Sequence, residues 1–174
     1  KDFGYKCVKL YRDTYDLYCV SGILFNHESC LRKEGFVINK AINHAISQSN
    51  GSKKKLALGD INVVRDWGYA PKYVEAIFLM LMQENPTDLI ISSGSPISLK
   101  GFLTNIYSSL NLDINDFIEI DESLFRINEL NTIFGSPDLA KKNLKWEYNL
   151  SNEQLANTLV KDFIDYNNWC LKNK

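Results

Sequence analysis

Hydrophobic residues change their period several times along this chain, and the changes divide it into elements. Phe3, Cys7, Val8, Leu10, Tyr11 and Tyr15 recur at roughly helical spacing, which predicts a helix over Phe3–Tyr15. The next run, Leu17–Phe25, is almost continuously apolar and rich in β-branched and aromatic residues. Such a run predicts a strand buried on both faces, as in a parallel sheet. Helical spacing returns over Gly35–Ser49 and stops at the Asn50-Gly51-Ser52 turn. The Lys53-Lys54-Lys55 run reads as a solvated edge. Short strands are predicted at Lys55–Leu58 and Asn62–Arg65, on either side of Gly59-Asp60.

Pro71 suits the first turn of a helix, and Tyr73–Gln83 carries the strongest helical pattern in the chain. Leu89–Ser93 predicts a second buried strand, closed by Gly94 and Pro96 before a helix over Ser98–Leu110. Phe117–Ile120 reads as a further strand. Pro137 opens a short helix, and Ser151 caps the last one, with Glu153 in its first turn. Helix and strand alternate without internal repeat or low-complexity linker. The predicted class is therefore α/β, organised as a single unit over residues 1–174.

Composition removes several classes of function. Of 174 residues, 45% are hydrophobic and 24% charged, which excludes a disordered chain. Twenty basic residues against twenty-one acidic give a net charge of −1, so no excess exists to neutralise a nucleic-acid backbone. The longest apolar stretch, Ala76–Met82, is far short of the about 20 residues of a membrane helix, so no membrane partner is expected. Cys7, Cys19, Cys30 and Cys170 form no C-x-x-C pair, and His27 and His44 complete no zinc-ligand spacing. We expect no metal and no disulfide scaffold, and a reducing cytoplasm is the simplest location. The chain opens at Lys1 with neither Met nor a signal-peptide pattern, which hints at residues upstream.

Candidate chemistry gathers where the first apolar run ends in Asn26-His27-Glu28-Ser29, with Arg32 three residues on. One reading is a capped turn between strand and helix. The other is a site where an amide, an imidazole and a guanidinium converge on an anionic ligand, at the strand end where open α/β sheets bind. The chain has sixteen Lys but only four Arg, at 12, 32, 65 and 126. Arg supplies a bidentate fork for phosphate that Lys lacks, which favours a phosphate-rich ligand.

Gly22-Ile-Leu-Phe-Asn-His-Glu-Ser29, Arg65-Asp-Trp-Gly68 and Tyr73-Val-Glu-Ala76 together resemble the C-terminal half of the GDP-mannose 4,6-dehydratases. These are extended short-chain dehydrogenase/reductases. The resemblance runs from Lys1 to near Trp146 and includes Phe125-Arg126-x-x-Glu129 and Gly135-x-Pro137. It implies the last strands and helices of an NAD(P)-binding Rossmann domain plus a smaller C-terminal substrate-binding lobe. Tyr5-x-x-x-Lys9 matches the superfamily's dyad pattern, but about one such pair is expected by chance in this composition. The family's register, taken from Tyr11-Arg12 and His27, instead matches Lys1 to the catalytic lysine. The dyad tyrosine, the glycine-rich loop and the family's Thr and Glu would all precede Lys1. A chain of these residues alone is expected to be inactive.

The resemblance implies a reaction as well. A tyrosine removes the C4 hydroxyl proton of GDP-mannose while the C4 hydride passes to NADP. Water is then lost across C5 and C6 and the hydride returns to C6, giving GDP-4-keto-6-deoxy-mannose. Lys1, His27 and Arg32 match cofactor-contacting positions. Asn26, Lys40, Arg65, Arg126 and Glu129 match positions that hold the GDP-sugar, and Val37 and Gly59 contribute backbone contacts. Two arginines and a lysine suit a diphosphate, and Glu129 suits ribose hydroxyls. The chain departs from the family at Cys30-Leu31 and Lys33, where Pro-Arg and Gly are usual, and at Ile38-Asn39, where Thr-Arg is usual. A dehydratase, epimerase or reductase on another GDP-sugar, such as GDP-manno-heptose, remains an alternative. So does a non-catalytic sugar-nucleotide-binding module. Pairing through Phe3–Tyr15 implies a homodimer or homotetramer.

Overall fold

The computed structural model describes residues 1–173 and shows parallel strands wrapped by helices. Helix α1 (Asp2–Tyr15) leads to strand β1 (Gly22–Leu24), strand β2 (Asn26–Glu28) and helix α2 (Val37–Ser49). Strands β3 (Leu56–Leu58), β4 (Val64–Arg65) and β5 (Trp67–Tyr69) precede helix α3 (Ala70–Leu81). Next come β6 (Leu89–Ile91), β7 (Ile97–Ser98), α4 (Leu99–Ser108), the single turn α5 (Ile114–Phe117) and β8 (Ile118–Ile120). A 3-10 turn at Glu122–Leu124, β9 (Thr132–Ile133), α6 (Asp138–Leu144) and α7 (Asn152–Lys172) complete the order.

Three two-stranded sheets are parallel pairs: β1 with β6, β2 with β5, and β3 with β8. The fourth sheet has β4 at its centre, antiparallel to β7 and parallel to β9. Two apolar cores follow this division. One packs α2, α4 and α7 around Phe102, Ile106, Leu155 and Leu159. The other sets Tyr73, Ala76 and Met80 of α3 against Leu89, Ile91 and Trp146. Parallel strand pairs with helices between them make this the α/β class expected from the alternation of elements.

Two strand assignments change. Leu17–Phe25 is not one doubly buried strand: only Gly22–Leu24 pairs, and Ile23 is 46% exposed. After Phe25, whose N–H donates to the Ile91 carbonyl, the backbone leaves β6 and pairs with β5. Asn26–Glu28 is therefore strand rather than a capped turn. Its polar side chains hid that from a hydrophobic-period reading. The strands at β5, β7 and β9 and the turn α5 were likewise not expected, being two to four residues long. Helix ends followed their caps. Ser151 and Gln154 form a reciprocal capping box at α7. The Lys53–Lys55 run is solvated, as expected.

Helix α1 buries no residue of its own. It is tied down by charge instead. Both terminal nitrogens of Arg12 donate to the Asp88 carboxylate, at 3.0 and 2.8 Å, and the Ser21 N–H donates to the same group at 2.8 Å. The Arg12 guanidinium holds the Asp88 carboxyl below its ordinary range. A carboxyl with a depressed folded pKa stabilises above its unfolded pKa, and that contribution is lost as pH falls through the folded value. Asp88→Asn is expected to cost about 1–2 kcal/mol at pH 7. The difference from wild type should shrink below pH about 4. Urea melts of the full-length natural protein at both pH values check this.

Candidate functional site

A cleft of about 870 Å³ opens where β2, the start of α2, the end of β3, β4 and the segment 121–133 meet. The segment can lie so close because position 59 is glycine. A Cβ there would stand 2.8 Å from the Leu124 carbonyl oxygen.

Asn26, Val37, Lys40 and Gly59 line the cleft, as do Arg65, Arg126 and Glu129. The structure thus brings together every residue matched to substrate contact. Arg32, matched to the cofactor side, lines the same cleft. Lys1 and His27 do not. Lys1 is an exposed residue at the start of α1, its carbonyl accepting from the Tyr5 N–H at 3.0 Å. His27 Nδ1 lies 2.8 Å from the Phe25 carbonyl oxygen, and its ring lies 5.2 Å from that of Tyr73. A carbonyl only accepts, so Nδ1 carries the hydrogen and Nε2 is the nitrogen left for another partner. Ile38 and Asn39, where the chain departs from the family pattern, are buried in the α2 core face and do not line the cleft.

Arg65 is nearly buried, at 9% exposure. Its Nη1 donates to the Val64 carbonyl at 2.7 Å and the Asn131 carbonyl at 3.3 Å, and its Nη2 pairs with Glu129 Oε1. Arg126, 83% exposed at its side chain, approaches the other oxygen of Glu129 at 3.6 Å. One carboxylate therefore stands between two guanidiniums. Trp67, two residues on, also lines the cleft. It stacks on Phe102 in the core, with ring centroids 5.2 Å apart and planes at 8°.

Arg32 is folded back on its own loop. Its Nη1 donates to the His27 carbonyl at 2.6 Å, and its guanidinium carbon sits 3.8 Å from the Phe36 ring centroid. Its Nε lies 3.4 Å from Glu28 Oε2, an ion contact without hydrogen-bond geometry. Asp66 and Glu28 take different places here. Asp66 is wholly buried and accepts from the Ser93 and Gly94 N–H groups at 2.8 and 2.9 Å, so it is an anchor. Glu28 lines the cleft. Phe36 and Phe125 supply aromatic faces to its walls. Phe125 belongs to the Phe125-Arg126-x-x-Glu129 motif, whereas Phe36 was not singled out in sequence, because an isolated aromatic carries no spacing signal.

The matches to known proteins fit this arrangement. The model of the GDP-mannose 4,6 dehydratase family matches residues 1–159. The chain belongs to the GDP-mannose 4,6-dehydratase family. A GDP-mannose 4,6 dehydratase of Dictyostelium discoideum is 35% identical, the match covering 95% of this chain and 51% of that protein. GDP-mannose 4,6 dehydratase 1 of Arabidopsis thaliana is 39% identical over 89% of this chain and 43% of its own length. The chain thus spans about half the length of the curated relatives it matches. Among solved structures, RMD from Pseudomonas aeruginosa, complexed with NADPH, superposes at a TM-score of 0.81. Its identity is 18%, with 93% of this chain and 53% of that chain covered. A dTDP-glucose 4,6-dehydratase from Bacillus anthracis in complex with NAD gives 0.80 at 20% identity, over 94% and 50%. At such identities these structures bear on the fold alone, and they agree on it. No helix among the described residues is long and apolar enough to cross a membrane.

Burial pushes the Glu28 carboxyl up to about 7 against the opposing pull of Arg32. A carboxyl whose folded pKa is raised binds more protons when folded, so stability falls as pH rises from its unfolded pKa through its folded one. Glu28→Gln should remove that slope. Relative to wild type, the variant should gain stability on the order of 1–2 kcal/mol between pH 5 and pH 8. Thermal melts across that range in the full-length protein give the answer, and parallel curves would refute it.

Proposed function

We propose that this chain forms the GDP-sugar-binding side of a GDP-mannose 4,6-dehydratase, a lyase using NADP that converts GDP-mannose to GDP-4-keto-6-deoxy-mannose. The observation that carries the reading is the convergence of Asn26, Lys40, Arg65, Arg126 and Glu129 on one cleft from separate segments. Guanidiniums and an ammonium suit a diphosphate, a carboxylate suits a ribose diol, and Phe36 and Phe125 offer flat apolar faces to a base.

The donors outside the cleft fit a dinucleotide phosphate. Lys1 is exposed, and the free Nε2 of His27 is held in a set orientation by the Nδ1 hydrogen bond. Lys1, His27 and Arg32 would hold NADP, which when bound supplies a hydride acceptor that each turnover restores. The Lys1 ammonium would depress the pKa of a neighbouring base tyrosine and so let it take the C4 hydroxyl proton near neutral pH. Asn26 would orient the sugar by its amide, and Arg65 with Arg126 would fix the diphosphate, which positions the hexose for proton and hydride removal. Exposed Phe3, Tyr11 and Tyr15 on α1 support a homodimer or homotetramer, and four free thiols fit a cytoplasmic protein.

Arg65 tests the reading. In the full-length protein, Arg65→Ala should weaken GDP-mannose binding by about 1.5–3 kcal/mol, the range for a charged hydrogen bond. Arg65→Lys should recover only part of this, because an ammonium cannot make the two-pronged contact. Since Arg65 also binds two backbone carbonyls, calorimetric titration belongs well below the melting temperature of each variant. Unchanged affinity in Arg65→Ala would remove the phosphate assignment.

A further inference from the structure

The two guanidiniums of the cleft that are matched to the substrate are not free. Arg65 has its Nη1 on two backbone carbonyls and its Nη2 on Glu129, while Arg126 stands over the second oxygen of the same carboxylate. Glu129 belongs to the segment 121–131, and that segment has few other ties to the body of the protein near the cleft. They are the Val64 N–H to the Asn131 carbonyl at 2.7 Å, the Asp121 N–H to the Leu58 carbonyl at 2.8 Å, and the Leu124 carbonyl packed over Gly59. A phosphate arriving at Arg65 must therefore take the place that a carboxylate of the same charge and similar reach already holds. Each offers oxygen acceptors to a guanidinium, the carboxylate planar and the phosphate tetrahedral, and the two compete for the Nη2 hydrogens.

Resting on the reading of the cleft as a diphosphate site, we propose that Glu129 is an exchangeable latch. It pairs with Arg65 in the empty cleft and is displaced from it by the ligand's phosphate. The displaced carboxylate, still beside Arg126, is then available to accept hydrogen bonds from hydroxyls of the same ligand. Glu129 thus sets specificity: an anion without hydroxyls has to break the ion pair and gives Glu129 nothing in exchange. A nucleoside diphosphate breaks the same ion pair and repays it through its diol.

Two probes separate the two halves of this exchange. Calorimetric titration of the full-length protein with inorganic pyrophosphate, which has no diol, reads the latch alone, and titration with GDP reads latch plus diol. Glu129→Gln keeps the shape of the side chain and removes the charge. It should bind pyrophosphate about threefold or more tightly than wild type, the worth of a partly exposed ion pair. It should gain nothing with GDP, or bind it more weakly, so that the GDP-to-pyrophosphate affinity ratio falls. Pyrophosphate affinity that is unchanged or lower in a variant with wild-type melting behaviour overturns the latch. If Glu129→Gln does not fold, Glu129→Asp, which keeps the charge on a shorter stem, gives the same two outcomes: tighter pyrophosphate binding supports the latch, and unchanged or weaker binding overturns it. Failure of wild type to bind GDP would instead overturn the diphosphate reading of the cleft, and is distinguishable because it appears before any substitution.

Discussion

A wholly buried carboxylate ties the sheets of this molecule together. Asp66 sits between β4 and β5 and takes one backbone N–H on each oxygen, from Ser93 and Gly94 just past the end of β6. Charge-assisted hydrogen bonds of this kind offset the desolvation of a buried carboxylate, and a side chain lacking either oxygen would leave an orphan N–H. Because Asp66 is pinned, its neighbours diverge in a fixed way. Arg65 enters the sheet with β7 and β9 and faces the cleft, while Trp67 pairs across to Asn26 and stacks on Phe102. The registers that bring Asn26 and Arg65 to one cleft depend on that single position.

The cleft that results is charged but nearly balanced. Arg32, Lys40, Arg65 and Arg126 meet Glu28, Asp60 and Glu129. Each of three cations is already engaged: Arg32 with Glu28, a carbonyl and the Phe36 face, and Arg65 and Arg126 with Glu129. On the proposed reading, a chain of net charge −1 can thereby present a polyphosphate site without being a general polyanion binder, and selectivity would lie in which internal pairs a ligand is able to replace.

Much of this was legible before any coordinates. Helices α2, α3, α4 and α7 announce themselves by their helical period, and the strands Leu56–Leu58 and Leu89–Ile91 by short apolar runs. Asn26 and Arg32 are legible from their place at the end of an apolar run, and the scarcity of arginine points to Arg65 and Arg126, but Val37, Lys40, Gly59 and Glu129 are legible only through the family motifs. What escaped was the pairing of polar or very short strands. Asn26–Glu28 carries no apolar alternation, and β7 and β9 are two residues each, too short for a pattern to form. The Arg65–Glu129 pair escaped for a different reason: it joins residues 64 apart in sequence, and only the fold decides that distance.

On the proposed reading the ligand seats between β3–β4 and the segment 121–133. Amide hydrogen exchange of the full-length protein, with and without saturating GDP-mannose, tests it most directly. Slowed exchange over 58–65 and 124–133, with no change over 105–110 and 153–164 beside the groove between α4 and α7, is the predicted result. Protection confined to that groove, or none in the cleft segments, would contradict the account.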